Sequence, residues 1–546
     1  MLLRVGRLAG MNPIHPDPLQ GGISSERYCT TKPGRAQASQ PQPSNSRKRR
    51  IARRLQHDQG DVRDEPVMSA GNIDYEVGGR ASALGAGGIG AIHAMARHLN
   101  LDHLINARVP LLQVHKPYSE SDHVFNIAFN ILCGGRCLED LELRRYDEAY
   151  LNALGADRVP DPTTAGDFCR RFTEPDIQAL MNTINQVRRT VWQKQPEDFF
   201  DLAVLDADGL MAATTGECKQ GMDISYNGLW GYQVGVVSLA NTAEPLFVVN
   251  RPGNRPSHEG AAWYLDRAAR ECTEAGFRQV RMRGDTDFTQ TTKLDHWDSR
   301  GYIFNFGMDA KQNLKNKAEA VAAADWELLE RPPRYEIKTV TRRRPEDVKE
   351  RIIKQRQYVT LRLRQEHVAE LSYQPVACEK SYRLVIVRKL IERRDEQMRL
   401  FEEFRYHFYL SNDPTMSAAE IVLDANKRCD QENLIAQLKG EVRALHAPVD
   451  NLHSNWAYMV MASLAWTLKA WVGLCLPESP RWRARHRSEK CRILRMEFRT
   501  FCNRCRNIPA QVVRTGRRII FRLLNWNPWQ HILLRLVEAV RTPMQC

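Results

Sequence analysis

Lys427-Arg428-Cys429-Asp430-Gln431-Glu432-Asn433-Leu434-Ile435-Ala436-Gln437-Leu438-Lys439 closes a run of helical periodicity that begins near Ser417. At about 100° per residue, Arg428, Glu432 and Lys439 fall on one stripe of that helix, while Leu434 and Leu438 point the opposite way. The apolar side packs. The polar side presents one carboxylate between two cations, which also fits an ordinary solvated i,i+4 pair. Two acidic positions far upstream give the stripe a second meaning. Leu202-Ala203-Val204-Leu205-Asp206-Ala207-Asp208 and Gln279-Val280-Arg281-Met282-Arg283-Gly284-Asp285 are strand-like runs that end in Asp. A strand that leaves a core and ends in Asp presents its carboxylate at the sheet edge, where a helix can bring Glu432 to meet it. Three hard oxygen donors from separate elements suit Mg²⁺, which keeps waters and binds through a few carboxylates plus substrate phosphates.

Around these acids, residues 198 to 310 alternate strand and helix. After the strand with Asp206 and Asp208 come strands at Trp230 to Ser238 and Leu246 to Asn250. A helix capped by Ser257 follows, then the strand ending in Asp285 and another at Tyr302 to Phe306. This order predicts an α/β fold with a ribonuclease H-like catalytic core. Side chains alternate along a strand, so Asp206 and Asp208 share a facing. Between Asp285 and Glu432 lie 146 residues, more than such a core requires. Period-two alternation in Tyr358 to Arg364 and Tyr382 to Val387 predicts a β-rich insertion over 311–404, with the core resuming over 405–476 at strand Tyr406 to Leu410. Basic polar faces there, with Trp326 and Tyr335 at the entry, suit a DNA-backbone groove with stacking aromatics. A solvated basic sheet has the same pattern.

The flanks and the composition set the remaining bounds. The chain has 546 residues, 42% of them apolar, and a net charge of +14. That describes a soluble protein of two to four domains whose basic bias favours a polyanionic partner, without separating DNA from RNA or anionic lipid. Thirteen scattered cysteines without a secretory signal read as reduced cytosolic thiols. Residues 1–66 are rich in Gln, Pro, Ser and Arg without an apolar period, which predicts a disordered tail. Residues 67–197 carry helical spacing and predict an α-helical N-terminal domain. Gly85-Ala86-Gly87-Gly88-Ile89-Gly90 matches the dinucleotide pattern, but no buried strand precedes it and no strand ending in an acid follows, so it reads as a turn before a helix. Asn455 to Leu476 is long and apolar enough to span a membrane, yet Lys469 interrupts it and Trp and Ser recur, which fits a buried helix. Residues 477–546 read as a basic helical segment. From Arg481 to Arg522 it holds 14 Arg or Lys against Glu489 and Glu497, a polyanion-binding composition.

In these motifs and their order, the chain resembles the DDE transposases of bacterial insertion sequences. The spacing Arg428, three residues, Glu432, six residues, Lys439 is similar to the Tyr-Arg-Glu-Lys signature of one branch, with Ala425 at the Tyr position. From about Ala83 to Leu476 the likeness is to the insertion sequence 1380 group. It runs through Gly134-Gly135, Leu138-Glu139-Asp140-Leu141, Asp206-Ala207-Asp208, Tyr226-Asn227, Arg251 with Gly253-Asn254, and Arg283-Gly284-Asp285 with Phe288. Gly209-Leu210 stand where the family usually has Ser-Thr, and Asp287 where it has Gly. The resemblance implies that Asp208, Asp285 and Glu432 are catalytic metal ligands, with Asp206 the second choice for the first. It implies Mg²⁺, for which Mn²⁺ can substitute, and places Arg428 and Lys439 on DNA phosphate near the cut. The helix after Thr163 or Thr164 would enter DNA or merely support the core. The implied activity is cut-and-paste transposition on double-stranded DNA, at terminal inverted repeats and a target, by a homodimer or larger assembly in the bacterial cytoplasm at the nucleoid. No membrane is implied. The rival expectations are a DNA-binding descendant without catalysis and a metal-dependent nuclease that does not transpose.

Overall fold

The computed structural model describes residues 48–50, 52, 82–216, 218–225, 228–332, 360–394, 400–515 and 518–541. The expected tail over 1–66, Tyr226-Asn227 and Tyr335 therefore lie almost wholly outside the described residues. Glu65–Cys546 is one structural unit. It begins with the two-residue strand β1 (Ala83–Leu84) and seven helices: α1 (Ile89–His98), α2 (Leu101–Arg108), α3 (Glu120–Leu132), α4 (Leu141–Arg145), α5 (Glu148–Leu154), α6 (Pro162–Arg170) and α7 (Glu174–Trp192). Their starts are encoded locally. Ser119 with Asp122 and Thr173 with Asp176 form capping boxes, and Asp161 caps α6 with Pro162 in its first turn. The glycine run before α1 has a packing cause. A Cβ on Gly87 would stand 2.5 Å from the Ile508 carbonyl, and one on Gly88 would stand 2.3 Å from that of Cys505. The C-terminal segment lies against this turn. The helix after Thr163 buries Phe168 and Cys169, so one of its faces belongs to the core.

The catalytic region is one ten-stranded mixed sheet. Its strands are β2 (Ala203–Ala213), β3 (Asp223–Ile224), β4 (Trp230–Leu239), β5 (Glu244–Pro252), β6 (Val280–Gly284), β7 (Ile303–Met308), β8 (Glu327–Leu328), β9 (Thr360–Tyr373), β10 (Tyr382–Arg394) and β11 (Leu400–Ser411). β5, β4 and β2 are antiparallel neighbours, and β2, β6 and β7 run parallel. This is the ribonuclease H-like order. Between β5 and β6 runs helix α8 (Ala261–Ala275), which packs on β2, β4 and β6. β6 is buried at every position, as expected of a parallel strand covered on both faces.

The insertion expected over 311–404 takes a different form from a separate domain. β11 spans the expected boundary and pairs with β7, while β10 pairs with both β11 and β9 along its length. The insertion thus extends the core sheet. An uncovered β7 would expose a row of unpaired backbone groups, and the long strands occupy that edge.

Returning from β11, the chain forms α9 (Ala418–Asn426), α10 (Cys429–Lys439) and α11 (Leu452–Leu474). The single helical run expected from Ser417 is therefore broken at Lys427 and Arg428. There the amides of Arg428, Asp430 and Gln431 reach carbonyls three residues back, the tighter spacing of a 3₁₀ turn. α11 is the apolar stretch that could span a membrane by length. It is enclosed by protein throughout, and Lys469 inside it donates to the Leu494 carbonyl at 2.9 Å. The C-terminal residues, expected to be helical, contain α12 (Arg483–Arg495), α13 (Phe498–Phe501), the hairpin β12 (Ala510–Thr515) and β13 (Arg518–Leu523), and α14 (Gln530–Arg541). The hairpin joins β1 in a three-stranded sheet, and α14 packs on α1, so the first and last described elements of the unit lie together.

Candidate active site

Asp208 stands midway along β2, not at its end, because pairing with β4 carries the strand on to Ala213. Asp285 directly follows β6 and caps the short turn Thr286–Phe288, its Oδ1 accepting from the Asp287 amide at 3.0 Å. β2 and β6 are adjacent and parallel with Asp206 opposite Arg283, so two residues further on Asp208 and Asp285 lie side by side. α10 brings Glu432 to the same edge. Its docking comes from Leu434 and Leu438 in the core and from buried Gln431, which bonds Ser238 and, at 3.1 Å, the Val236 carbonyl of β4.

Arg428 ties these acids together. Its guanidinium donates to Asp208 Oδ2 at 3.1 Å and reaches Glu432 Oε1 at 3.5 Å. Burial pushes the Asp208 carboxyl up to about 6, Arg428 opposes the rise, and the charges of Asp285 and Glu432 add to it. The Asp285 carboxyl is also raised, by burial first, again against the pull of Arg428. Desolvated carboxylates that repel one another around a single cation are a donor set suited to a hard divalent ion. Among the described residues, no group of three or more His, Cys, Asp or Glu is gathered closely enough to hold a metal ion as the side chains stand. Here the guanidinium of Arg428 lies between Asp208 and Glu432.

Asp208 should therefore destabilise the free protein. Its folded pKa lies above the ordinary 3.8, so the folded state holds the proton more tightly and stability rises as pH falls through about 6. Asp208→Asn is expected to raise stability at pH 8 by roughly 2 kcal/mol, an advantage that fades toward pH 4. Thermal unfolding of both proteins across that range checks this, and equal midpoints at pH 8 would contradict it.

Asp206 and Trp326 are placed differently from what was expected, and Lys439 is not. Asp206 is 1% exposed, with both oxygens on Arg283 at 2.7 and 2.9 Å, and so is not available as a ligand. Two residues inward from Asp208 on the same facing, it is closed off by the sheet. Trp326 is 8% exposed, with Arg388 stacked 4.1 Å over its ring; it packs in the core, where no base can stack on it. Lys439 is exposed in the last turn of α10 and, among the described residues, makes no ion pair.

Sequence reasoning took Ser257 for a helix cap, a place the structure gives to Gly260, noted Asp287 only as a departure from the family pattern, and passed over Asp424. Ser257 donates to Asp287 at 2.8 Å, and a Cβ on Gly209 would stand 2.8 Å from the Ser257 Cβ. Gly209 thus admits the Ser257 loop against the site. Asp424 lies one turn before Arg428, and the repeated spacing Asp424, Arg428, Glu432 was the available signal.

A ribonuclease H-like sheet with desolvated acids on neighbouring parallel strands defines the class: enzymes that transfer phosphoryl groups of nucleic acids. More particularly, the chain belongs to the DDE transposases, matching the family described as transposase DDE domain group 1 over residues 68–545. Among solved structures it is similar to one described as the cryo-EM structure of piggyBac transposase synaptic complex with hairpin DNA. That likeness has 11% identity and a TM-score of 0.35, covering 77% of this chain and 79% of that one. No curated protein matches the chain.

Proposed function

We propose that this chain is a cut-and-paste transposase of an insertion sequence, in the Tyr-Arg-Glu-Lys branch near the insertion sequence 1380 group. Asp208, Asp285 and Glu432 hold Mg²⁺, or Mn²⁺ in its place. The observation that supports this is Asp208 sharing the Arg428 cation with Glu432, beside the desolvated Asp285 at the end of the adjacent parallel strand. When bound, the metal supplies activation of water or a DNA 3′-hydroxyl and stabilisation of the leaving oxygen. Asp208 and Asp285 would set where that charge sits, because strand pairing fixes the backbone of Asp208 and the capped turn after β6 fixes that of Asp285. The raised proton affinity of Asp208 makes metal loading compete with protonation below about pH 6. With the carboxylates engaged on a metal, Arg428 would be available to bind the DNA phosphate, and Lys439 would hold a second phosphate along the same stripe. The substrates are terminal inverted repeats and target DNA, joined by a homodimer or larger assembly at the bacterial nucleoid.

The test is purified protein with duplex DNA carrying the inverted ends found beside the coding sequence. Nicking at those ends in Mg²⁺, abolished by chelation, and joining of the cut 3′ end to a second duplex are expected. Specific binding without nicking would favour the catalysis-free descendant. Nicking without joining would favour a nuclease.

A further inference from the structure

Beneath the proposed metal ligands lies a second set of charges with no part in holding the metal. On one face of β6 stand Arg281 and Arg283, followed by Asp285; on the same face of β2 stand Asp206 and Asp208. Over them lie Asp424 of α9, Arg428 of the break and Glu432 of α10. Four helical residues rise about 6 Å and two strand residues advance about 6.6 Å, so the two series keep step. At the lower rung, Arg283 grips Asp206 bidentately and reaches Asp424 twice, its carbonyl at 2.9 Å and its Oδ1 at 3.3 Å. Arg281 bonds Asp413 at 2.7 Å and stands 3.6 Å from Asp424. Asn305 of β7 donates to the other Asp424 oxygen at 2.8 Å, and Ser411 of β11 bonds Asn305. At the upper rung, Arg428 meets Asp208 at 3.1 Å.

Every rung pairs opposite charges only in this register. A slip of one helical turn forward would set Asp424 beside Asp208, and a slip of one turn backward would set Arg428 beside Arg283 and Glu432 beside Asp208, like-charge contacts in a desolvated seam where such contacts cost most. The tightened turn after α9 contributes, because the Arg428 amide bonds Ala425 and not Asp424. The Asp424 carbonyl accepts from the Lys427 amide at 3.0 Å and, on its other lone pair, from Arg283 at 2.9 Å.

We infer that Asp424, through Arg283 and Asp206, is a positioning residue that sets the register of the α9–α10 helices on the sheet and thereby places Glu432 for metal ligation. This rests on the proposed ligand role of Asp208, Asp285 and Glu432. The seam also says why the charge is kept. Arg281 and Arg283 face three buried carboxylates, Asp206, Asp413 and Asp424, so one carboxylate is in excess for neutrality. Removing its charge strands no cation, since Arg283 keeps Asp206 and Arg281 keeps Asp413. Buried ion pairs of this kind serve specificity better than stability.

The experiment compares full-length wild type, Asp424→Asn and Asp424→Glu. It reads Mn²⁺ binding without DNA by calorimetry, the Mn²⁺ dependence of end cleavage, DNA binding and thermal unfolding. Asp424→Asn is expected to keep its DNA affinity and unfolding midpoint while binding Mn²⁺ about tenfold more weakly, with excess Mn²⁺ recovering part of the cleavage rate. Asp424→Glu, which restores the charge, is expected to regain most of the Mn²⁺ affinity. Unchanged Mn²⁺ affinity in Asp424→Asn, or Asp424→Glu as impaired as Asp424→Asn, would overturn the inference. So would collapse of the Asp424→Asn fold, which would make the residue structural. Wild type that binds no Mn²⁺ would instead overturn the proposed metal site itself.

Discussion

Asp285→Asn and Glu432→Gln are each expected to remove metal-dependent nicking of end-containing DNA while leaving DNA binding intact. Asn at 285 keeps an oxygen for the Asp287 amide, so the cap of the Thr286–Phe288 turn survives. Gln at 432 keeps an oxygen for the Arg428 contact on an exposed position of α10. Each swap therefore deletes a charge and little else. The electrostatic stabilisation that a bound metal gives a phosphoryl-transfer transition state is several kcal/mol, so the expected fall is on the order of 10³-fold or more. Timed nicking with binding measured in parallel decides it: nicking by either variant within about tenfold of wild type would show that the acid is not a ligand.

The second large effect concerns the basic C-terminal region, which the fold changes from a tail into a surface. Many of its cations are engaged within the protein: Arg485 and Arg535 on Glu489, Arg487 and Lys490 on Glu478, and Arg492 and Arg504 over Trp529. Arg483, Arg495, Arg499, Arg518 and Arg522 are exposed and, among the described residues, make no ion pair. The Phe498 amide bonds Gln437 at 2.9 Å, which seats α13, and with it Arg499, beside the last turn of α10 that carries Lys439. Arg499 thus stands beside the stripe proposed to bind phosphate. Deleting the segment would strip β12 from β1 and α12 from α11, so substitution is the informative change. Replacing Arg483, Arg495, Arg499 and Arg518 together by Gln is expected to weaken binding to specific and random duplex alike. It should also lower the log–log salt slope by about 0.9 for each phosphate no longer neutralised, or roughly 3 to 4 in all. Competition binding across a salt series measures this, and an unchanged slope would show that these arginines face solvent in the complex.

Much of the fold was legible because its signals are local. Capping residues such as Ser119 and Thr173 bond within their own first turn, and period-two alternation in β9, β10 and β11 follows from strand geometry alone. The aspartates of β2 and β6 were legible for the same reason, each ending an apolar run. The helix stripe of Arg428 and Glu432 was legible from spacing, although the break at Lys427 was not: its tightened bonding accompanies contacts to β2 and β6 that no neighbouring residue announces.

What the sequence by itself determined is the strand and helix order of the core, the three candidate acids and the basic character of the chain, since periodicity, caps and charge depend on near neighbours. Tertiary structure alone decided which charges are available. Asp206 and Asp208 are two residues apart with the same facing, yet one is locked on Arg283 and the other meets Arg428 midway along β2. Trp326 reads as an open aromatic until Arg388 covers it, and a basic tail becomes a folded surface once β12 pairs with β1. Burial and partnership are set by what the rest of the chain brings from hundreds of residues away. A buried charge is governed by its solvation and its partners, and neither is written in its own neighbourhood.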